Sequence, residues 1–330
     1  MSKQSQSSVP TSCLWCGGLL GEVKYRDVSD RLGYVPGTWD LIECGTCKSL
    51  GLSPFPSPAQ VVDYYPQNYI VPTTDKTQGI RTLFSAIDQR FLAYCYQKEA
   101  ALLFERLPAF KTAGAKILEI GCGNGNRMDF FRSKNLDITG VDMSQEDIKA
   151  IRARGLNALC VDLHAITDHF QSGSFDVIMS FDVLEHIPDL ESFFEKTTRL
   201  LKPLGWMVAG LPAQDCYASR VLGKEWTALR EVPRHVTVPS IQGARQLFTR
   251  FGLKNTGLFP YSSLSCSIVL GNSFVPSSSA SNFYSGSFKI RTLMKRLFGG
   301  VITLLSAPLF FLENQFTSHP SRFVVYGQTK

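Results

Sequence analysis

Three glycines spaced every second residue, Gly121, Gly123 and Gly125, break an apolar run in the stretch KILEIGCGNGNRMDFF, residues 116–131. Glycines placed this way let a backbone come close to a ligand. The run also carries a carboxylate, Glu119, in the segment leading to the glycines. A dinucleotide fold uses G-x-G-x-x-G and aims a helix N-terminus at a pyrophosphate. Here the pattern is G-x-G-x-G, and an anionic ligand gains nothing from Glu119 beneath it. A cationic ligand does. Two further acids end the next two apolar runs: Asp142 in GVDMS, suited to accept both hydroxyls of a ribose, and Asp162 in CVDL, suited to an adenine amino group.

Four of the nine cysteines form two C-x2-C knuckles, Cys13–Cys16 and Cys44–Cys47, with 27 residues between them. Two such turns close a tetrahedral thiolate shell around zinc, and the amides that follow each knuckle can donate to the sulfurs. With four thiolates there is no open position, so such a zinc is structural. A redox C-x2-C would sit beside a βαβ pattern, and neither pair does. The other cysteines (Cys95, Cys122, Cys160, Cys216, Cys266) are single, which suits buried thiols in a reducing cytoplasm.

Two histidines stand where chemistry on a second substrate is expected. His186, in DVLEHIPD, can act as a general base near neutral pH. His235, in REVPRHVTV, lies in a segment expected to close over that substrate and position it. Arg230 and Arg234 in the same segment suit a phosphate or carboxylate. The alternative for His186 is a capping or packing role.

The elements that must hold these residues alternate from Lys116 onward. KILEIG, DITGVD, NALCVD, FDVIMSF and GWMVAGLP read as strands; NRMDFFRSKN, SQEDIKAIRARG (capped by Ser144) and LESFFEKTTRLLK read as helices. This alternation predicts an α/β fold, a doubly wound, mostly parallel sheet with helices on both faces. Ligands in such sheets bind at the carboxyl ends of the strands, where every acid and histidine above falls. Before it, VKYRDV and TWDLIEC supply two short strands between the cysteine pairs. Ile80, Leu83, Phe84, Ile87, Phe91 and Tyr94 recur at helical spacing and predict one or two core-facing helices.

The ordered set LEIGCGNG, GVDMS, CVDL, FDVIMSFDVLEHIPD and LLKPLGWMVAGLP resembles the class I S-adenosylmethionine-dependent methyltransferases, over about residues 116–261 with a last strand at 321–328. That resemblance implies a Rossmann-like, seven-stranded sheet. It implies that Glu119, Gly121, Gly123 and Gly125 hold the methionyl end of S-adenosylmethionine, Asp142 with Met143 the ribose, and Asp162 with Leu163 the adenine. Ser180 and Phe181 would line the cofactor near its methyl group. One departure is Leu204 in KPLGW, where the family has a second glycine. Asp182, Glu185 and His186 also resemble the acidic–histidine stretch of ubiquinone-pathway O-methyltransferases, where a divalent ion has been proposed; Asp182 is shorter than the glutamate found there. The PRH segment resembles that of zinc-ribbon methyltransferases of bacterial surface-sugar clusters.

The expected organisation is a zinc ribbon at 1–57, a linker with amphipathic helices at 58–115 and a methyltransferase domain at 116–330. Within the last lie a lid insertion at 212–239 and a basic, apolar insertion at 276–319. The expected acceptor is a small molecule, a sugar or surface-polysaccharide precursor, with the methyl going to oxygen or carbon. An RNA-base methyltransferase and an inactive cofactor-binding scaffold are the alternatives. Against RNA, residues 1–50 hold five basic and five acidic side chains, not a positive stripe. The net charge of +6 is concentrated at the end, where residues 276–330 carry six basic groups against Glu313. There, Lys289, Arg291, Lys295 and Arg296 precede sixteen uncharged residues, Leu297–Leu312, which is short for a membrane span. The reading favours burial of this stretch, with peripheral membrane contact through 289–312 as the alternative. The polar start, MSKQSQSSVPTS, has no apolar h-region, so the expected location is the cytoplasm, at most peripheral on its membrane.

Overall fold

The computed structural model describes residues 12–65, 80–261, 266–267, 270–271, 298, 300–309, 312 and 318–330. The cysteine-bearing region folds as three antiparallel strands, β1 (Leu20–Val28), β2 (Trp39–Cys44) and β3 (Leu50–Ser53). The sequence reading expects two strands; the third arises because Leu50 and Leu52 are both buried and their backbone needs partners. Two helices follow, α1 (Pro58–Asp63) and the long α2 (Ile80–Arg106). Ile80, Leu83, Phe84, Ile87 and Phe91 lie outside the described side chains, and Tyr94 corrects the core-facing expectation, being 53% exposed.

The alternating region builds a seven-stranded sheet from β4 (Lys116–Ile120), β5 (Asp137–Asp142), β6 (Asn157–Cys160), β7 (Phe175–Phe181) and β8 (Leu201–Pro212), joined later by two further strands. Its helices are α3 (Asn126–Ser133), α4 (Gln145–Ala153), α5 (Ile166–His169) and α6 (Leu190–Leu200). In α4, Ser144 accepts from the amide of Asp147 at 3.2 Å, a cap worth about 1 kcal/mol. Ile148 and Ile151, three apart, bury its inner face. After β8 come α7 (Tyr217–Leu222), the two-residue strand β9 (Thr237–Val238), α8 (Ile241–Arg250), β10 (Lys254–Pro260) and β11 (Arg322–Gln328).

Spatial order is β10-β11-β8-β7-β4-β5-β6, with β8 to β6 parallel and β11 antiparallel to both neighbours. The Rossmann-like, mostly parallel sheet is therefore as expected, with a late strand, which the fold inserts next to β8. Strand order reverses between β4 and β7. A crevice at the carboxyl ends of those two strands is where a sheet of this type binds ligands.

The four-cysteine region does not end at the linker. β9, inside the expected lid insertion, pairs with β3 and makes the small sheet four-stranded. The C-terminal stretch corrects the burial expectation. Its described helix is phased with Ser306 inward at 4% exposure, which turns Leu304 and Leu305 out at 76% and 72%. Phe298, Val301, Leu309 and Leu312 are exposed with them. Lys289, Arg291, Lys295 and Arg296 lie outside the described residues. Among the described residues, no helix is long and apolar enough to cross a membrane.

Candidate active site

At the end of β4 the chain takes three left-handed residues, Gly121 (φ 69°), Gly123 (φ 49°) and Gly125 (φ 71°). Only glycine adopts this conformation without steric cost. Gly121 is needed twice over, because a Cβ there would lie 2.4 Å from Val183. Gly123 faces open space, with no heavy atom within 4 Å of where its Cβ would be. Its amide donates to Asp142 at 2.9 Å, and the second carboxylate oxygen of Asp142 accepts from the amide of Ser144 at 2.9 Å. Burial raises the Asp142 carboxyl above its ordinary range despite those two donors. Asp162, exposed at the end of β6, accepts from the amide of His164 at 2.8 Å, next to half-buried Leu163. Met143 is exposed. The hydroxyl of Ser180 is buried without a hydrogen-bond partner, and Phe181 is buried beside it at the end of β7.

Glu119 is 1% exposed and one of its oxygens, Oε2, has no hydrogen-bond partner. Burial pushes its carboxyl up to about 7, against the pull of Arg127. That arginine, at the start of α3, was not singled out from sequence. It lies 3.6 Å from Glu119 and 3.3 Å from Glu99 of α2, between the rings of Phe181 (4.4 Å) and Tyr96 (4.6 Å). Its place just behind the glycines is a readable signal; nothing local marks Glu99, which α2 brings in from outside the alternating region.

On the other side of the crevice, β7 ends in a left-handed Asp182 (φ 56°) and a short turn, Leu184–His186. Asp182 faces Arg322 of β11 at 2.6 Å and belongs to that ion pair, not to the histidine. His235 stands with its ring 4.5 Å from that of His186, at 70°. The sequence reading treats the two as separate candidates; the fold brings them together. Nδ1 of His186 lies 2.8 Å from the hydroxyl of Tyr65 and 3.2 Å from the carbonyl of Arg234, and Nδ1 of His235 lies 2.5 Å from the carbonyl of Ala228. Burial, then the His235 ring, push the His186 imidazole down to about 3, so it is neutral at neutral pH. Glu185 is 1% exposed, and burial followed by Asp182 raises its carboxyl well above the usual range.

Arg234 corrects an expectation. It is fully buried and held by Asp30, from the loop between β1 and β2, through two bonds of 2.9 and 2.8 Å. It is therefore spent within the protein, which leaves Arg230, partly exposed, as the one of the two expected arginines open to a substrate anion. Burial, then Arg31 nearby, lowers the Arg230 guanidinium. Val236 joins three regions: its amide donates to the carbonyl of Glu185 at 3.0 Å, and its carbonyl accepts from Leu52 of β3 at 2.9 Å.

The four predicted cysteines converge, with one sulfur from each lying within 4.8 Å of the others. Cys13 and Cys47 are 3.6 Å apart and Cys16 and Cys44 3.5 Å, near the ~3.8 Å edge of a tetrahedron with 2.3 Å metal–sulfur bonds. The amide of Gly18 donates to Cys16 at 3.3 Å and that of Cys47 to Cys44 at 3.5 Å. This donor set fits zinc. Ser49 lies 3.2 Å from the Cys47 sulfur and accepts from the amide of Ser240, the cap of α8, so the cluster is tied to the large sheet's helix layer.

Residues 90–258, just over half of the chain, match the family described as "Methyltransferase domain". Among relatives, a ubiquinone biosynthesis O-methyltransferase of Xanthomonas oryzae pv. oryzae (strain PXO99A) is 34% identical over 131 residues, covering 37% of this chain and 54% of that protein. The same-named protein of Bordetella avium (strain 197N) is 28% identical over 128 residues, covering 37% and 53%. The chain thus spans about half the length of the curated relatives it matches. Among solved structures, a SAM dependent methyltransferase from Archaeoglobus fulgidus aligns with TM-score 0.47 at 15% identity, over 71% of this chain and 94% of that one. The geranyl diphosphate C-methyltransferase of Streptomyces coelicolor A3(2) aligns with TM-score 0.46 at 15% identity, over 71% and 76%.

Proposed function

Because the chain belongs to the methyltransferase-domain family, in its class I S-adenosylmethionine-dependent branch, we propose that it moves the methyl group of S-adenosylmethionine to a small-molecule acceptor, with oxygen of a sugar or surface-polysaccharide precursor as the first choice. What supports the cofactor assignment is the open space over Gly123 beside the Asp142 carboxylate, with Glu119 and Ser180 carrying buried atoms that lack partners. On this reading Glu119 faces the cationic methionyl end together with Gly121, Gly123 and Gly125. Asp142 and Met143 take the ribose, Asp162 and Leu163 the adenine, and Ser180 with Phe181 the region near the methyl group. His186 and His235 act on the acceptor, activating its hydroxyl for in-line attack on the sulfonium carbon.

Cys13, Cys16, Cys44 and Cys47 hold a structural zinc that fixes the small sheet, and through β9 the segment bearing His235. The five cysteines outside that cluster, Cys95, Cys122, Cys160, Cys216 and Cys266, stand singly along the chain, which suits a reducing cytoplasm. The exposed apolar side chains of Phe298, Val301, Leu304, Leu305, Leu309 and Leu312 suit contact with a membrane surface, which a lipid-linked acceptor would share.

The test of the cofactor assignment is calorimetry of S-adenosylmethionine with Asp142→Ala. A carboxylate accepting two ribose hydroxyls is worth about 2–4 kcal/mol, or roughly thirtyfold to a thousandfold in affinity. Unchanged affinity removes Asp142 from the site, and tight NAD binding instead overturns the cofactor. The acceptor is then sought by S-adenosylhomocysteine release across a panel of sugar nucleotides and lipid-linked sugars.

A further inference from the structure

The residues around His186 carry more than one proton transfer needs. Neither backbone carbonyl beside the two imidazoles can donate, so each of these bonds requires Nδ1–H. The bond from His186 runs to Arg234 and that from His235 to Ala228. Nδ1 of His186 also meets the Tyr65 hydroxyl at 2.8 Å, which can donate or accept, so an ion calls for the tautomer with its proton on Nδ1. In that tautomer each ring presents Nε2 as a lone pair. The third group, Glu185, is buried and its Oε2 has no hydrogen-bond partner. One potential ligand atom from each of Glu185, His186 and His235 lies within 4.8 Å of the others. Three electron-pair donors thus converge, 8% exposed at His235 and 1% at Glu185, where a lone pair left unmatched is costly.

We propose that Glu185, His186 and His235 bind one divalent first-row transition-metal ion of the zinc, iron(II) or manganese class, separate from the four-cysteine site. Two imidazoles and one carboxylate suit these ions better than magnesium or calcium, which take oxygen ligands. Nδ1 of His235 faces a backbone carbonyl and Nδ1 of His186 a backbone carbonyl and the Tyr65 hydroxyl, and such outer partners orient the ring in metal-bound histidine. Three protein ligands leave at least one position open, and a hydroxyl oxygen placed there loses its proton more readily. The site therefore deepens the acceptor reading above and rests on it for its role in methyl transfer.

The ligand set differs from the acidic–histidine stretch noted in the sequence. Asp182 points to Arg322 at 2.6 Å, and its place is taken by a histidine from the segment that β9 ties to the small sheet. The ion site is complete only when that segment is docked. The amide of Val236, next to His235, supplies the contact by donating to the carbonyl of Glu185.

Cobalt(II) titration of the metal-stripped, reduced full chain tests this. The four-thiolate site announces itself by an intense sulfur-to-cobalt charge-transfer band, whereas an N2O site gives only weaker d–d bands. About two equivalents are expected in the unaltered protein, one with and one without the charge-transfer band. Glu185→Gln and His235→Ala should each keep the first and lose the second, while Asp182→Asn keeps both. A single equivalent in the unaltered protein overturns the proposal with no variant needed. So does a second equivalent that survives both substitutions, or one lost in Asp182→Asn and retained in His235→Ala. Calorimetry with S-adenosylmethionine separates this outcome from the function. Cofactor binding with one cobalt equivalent sinks the ion site alone, and two equivalents without cofactor binding sink the methyltransferase reading alone.

Discussion

Around the glycine loop, apart from Glu99 of α2 at Arg127, polar groups are tied between adjacent strand ends and turns: Gly123 to Asp142, Asp142 to Ser144, Asp162 to His164. Around His186 the ties span the chain. Arg234 reaches Asp30, 204 residues away, Tyr65 reaches His186 across 121, and Val236 bonds to both Glu185 and Leu52. The cofactor side is thus a set of strand ends and turns, each able to form once its own strand is in the sheet. The acceptor side forms only when the small sheet, the 212–239 segment and the end of β7 dock together. A local site is robust and keeps one ligand; a site assembled from three distant regions is where substrate choice can change without disturbing the cofactor.

The sharpest way to break this comparison is to remove a histidine. His186→Ala should lower kcat by about 10²–10⁴-fold with cofactor affinity unchanged. His235→Ala should do the same, and the double variant should lose no more than either single one, since groups that act as a unit are not additive. If His235→Ala raises only the KM of the acceptor, the two histidines act apart and the shared-site picture fails.

Next in size is the Asp30–Arg234 pair, whose side chains are both fully buried. Removing one partner of a buried pair leaves an uncompensated charge, which costs about 3–5 kcal/mol. Asp30→Ala should lose that much in urea unfolding. At temperatures where it is still folded, acceptor turnover should fall further than cofactor affinity. Turnover and cofactor affinity falling in parallel would mean the two sides are not separately assembled.

This division also explains what was legible in the sequence. The alternating sheet, the glycine loop and the cysteine cluster rest on short-range patterns, and each sits where its spacing indicates; the late strand follows from the family resemblance instead. The pairing of β9 with β3 has no such pattern: Thr237 and Val238 are two residues whose partner is decided by buried backbone seeking bonds. Arg234 read as a substrate arginine because composition cannot tell a guanidinium that faces solvent from one that faces Asp30. For the same reason the sequence points to burial of the leucines at 304, 305 and 309, which the fold leaves exposed.

The cofactor side makes its own, smaller prediction. Glu119 titrates near 7 in the folded chain and near 4.3 when unfolded. A carboxyl with a raised folded pKa contributes stability that is present below about pH 4 and lost as pH rises through 7. Binding of a cationic methionyl group runs the other way, because it needs the ionised form. Affinity for S-adenosylmethionine should therefore be about tenfold weaker at pH 6 than at pH 8. Glu119→Gln should flatten that dependence. A profile that stays steep in Glu119→Gln would assign the titration to another group.

The smallest effect is expected at the end of the sheet remote from both sides. Leu204, at the start of β8, holds a left-handed backbone (φ 61°) with its side chain 64% exposed. Its carbonyl accepts from Gln328 at 2.9 Å, so the turn is pinned by the last strand and cannot relax to an extended form. A side chain in this conformation costs about 1–2 kcal/mol, whereas glycine has no such strain but gives up more chain entropy. Since little apolar surface is buried at this position, Leu204→Gly should gain about 0.5–1 kcal/mol, a rise of roughly 1–3 °C in Tm. kcat and cofactor affinity should not move, because the turn lies at the amino end of β8 and every functional group lies at the carboxyl ends. A lower Tm would mean that the Leu204 side chain packs more than its exposure indicates. A changed kcat would mean that strain at one end of β8 reaches the other, and the sheet could no longer be treated as a rigid platform for two independent sides.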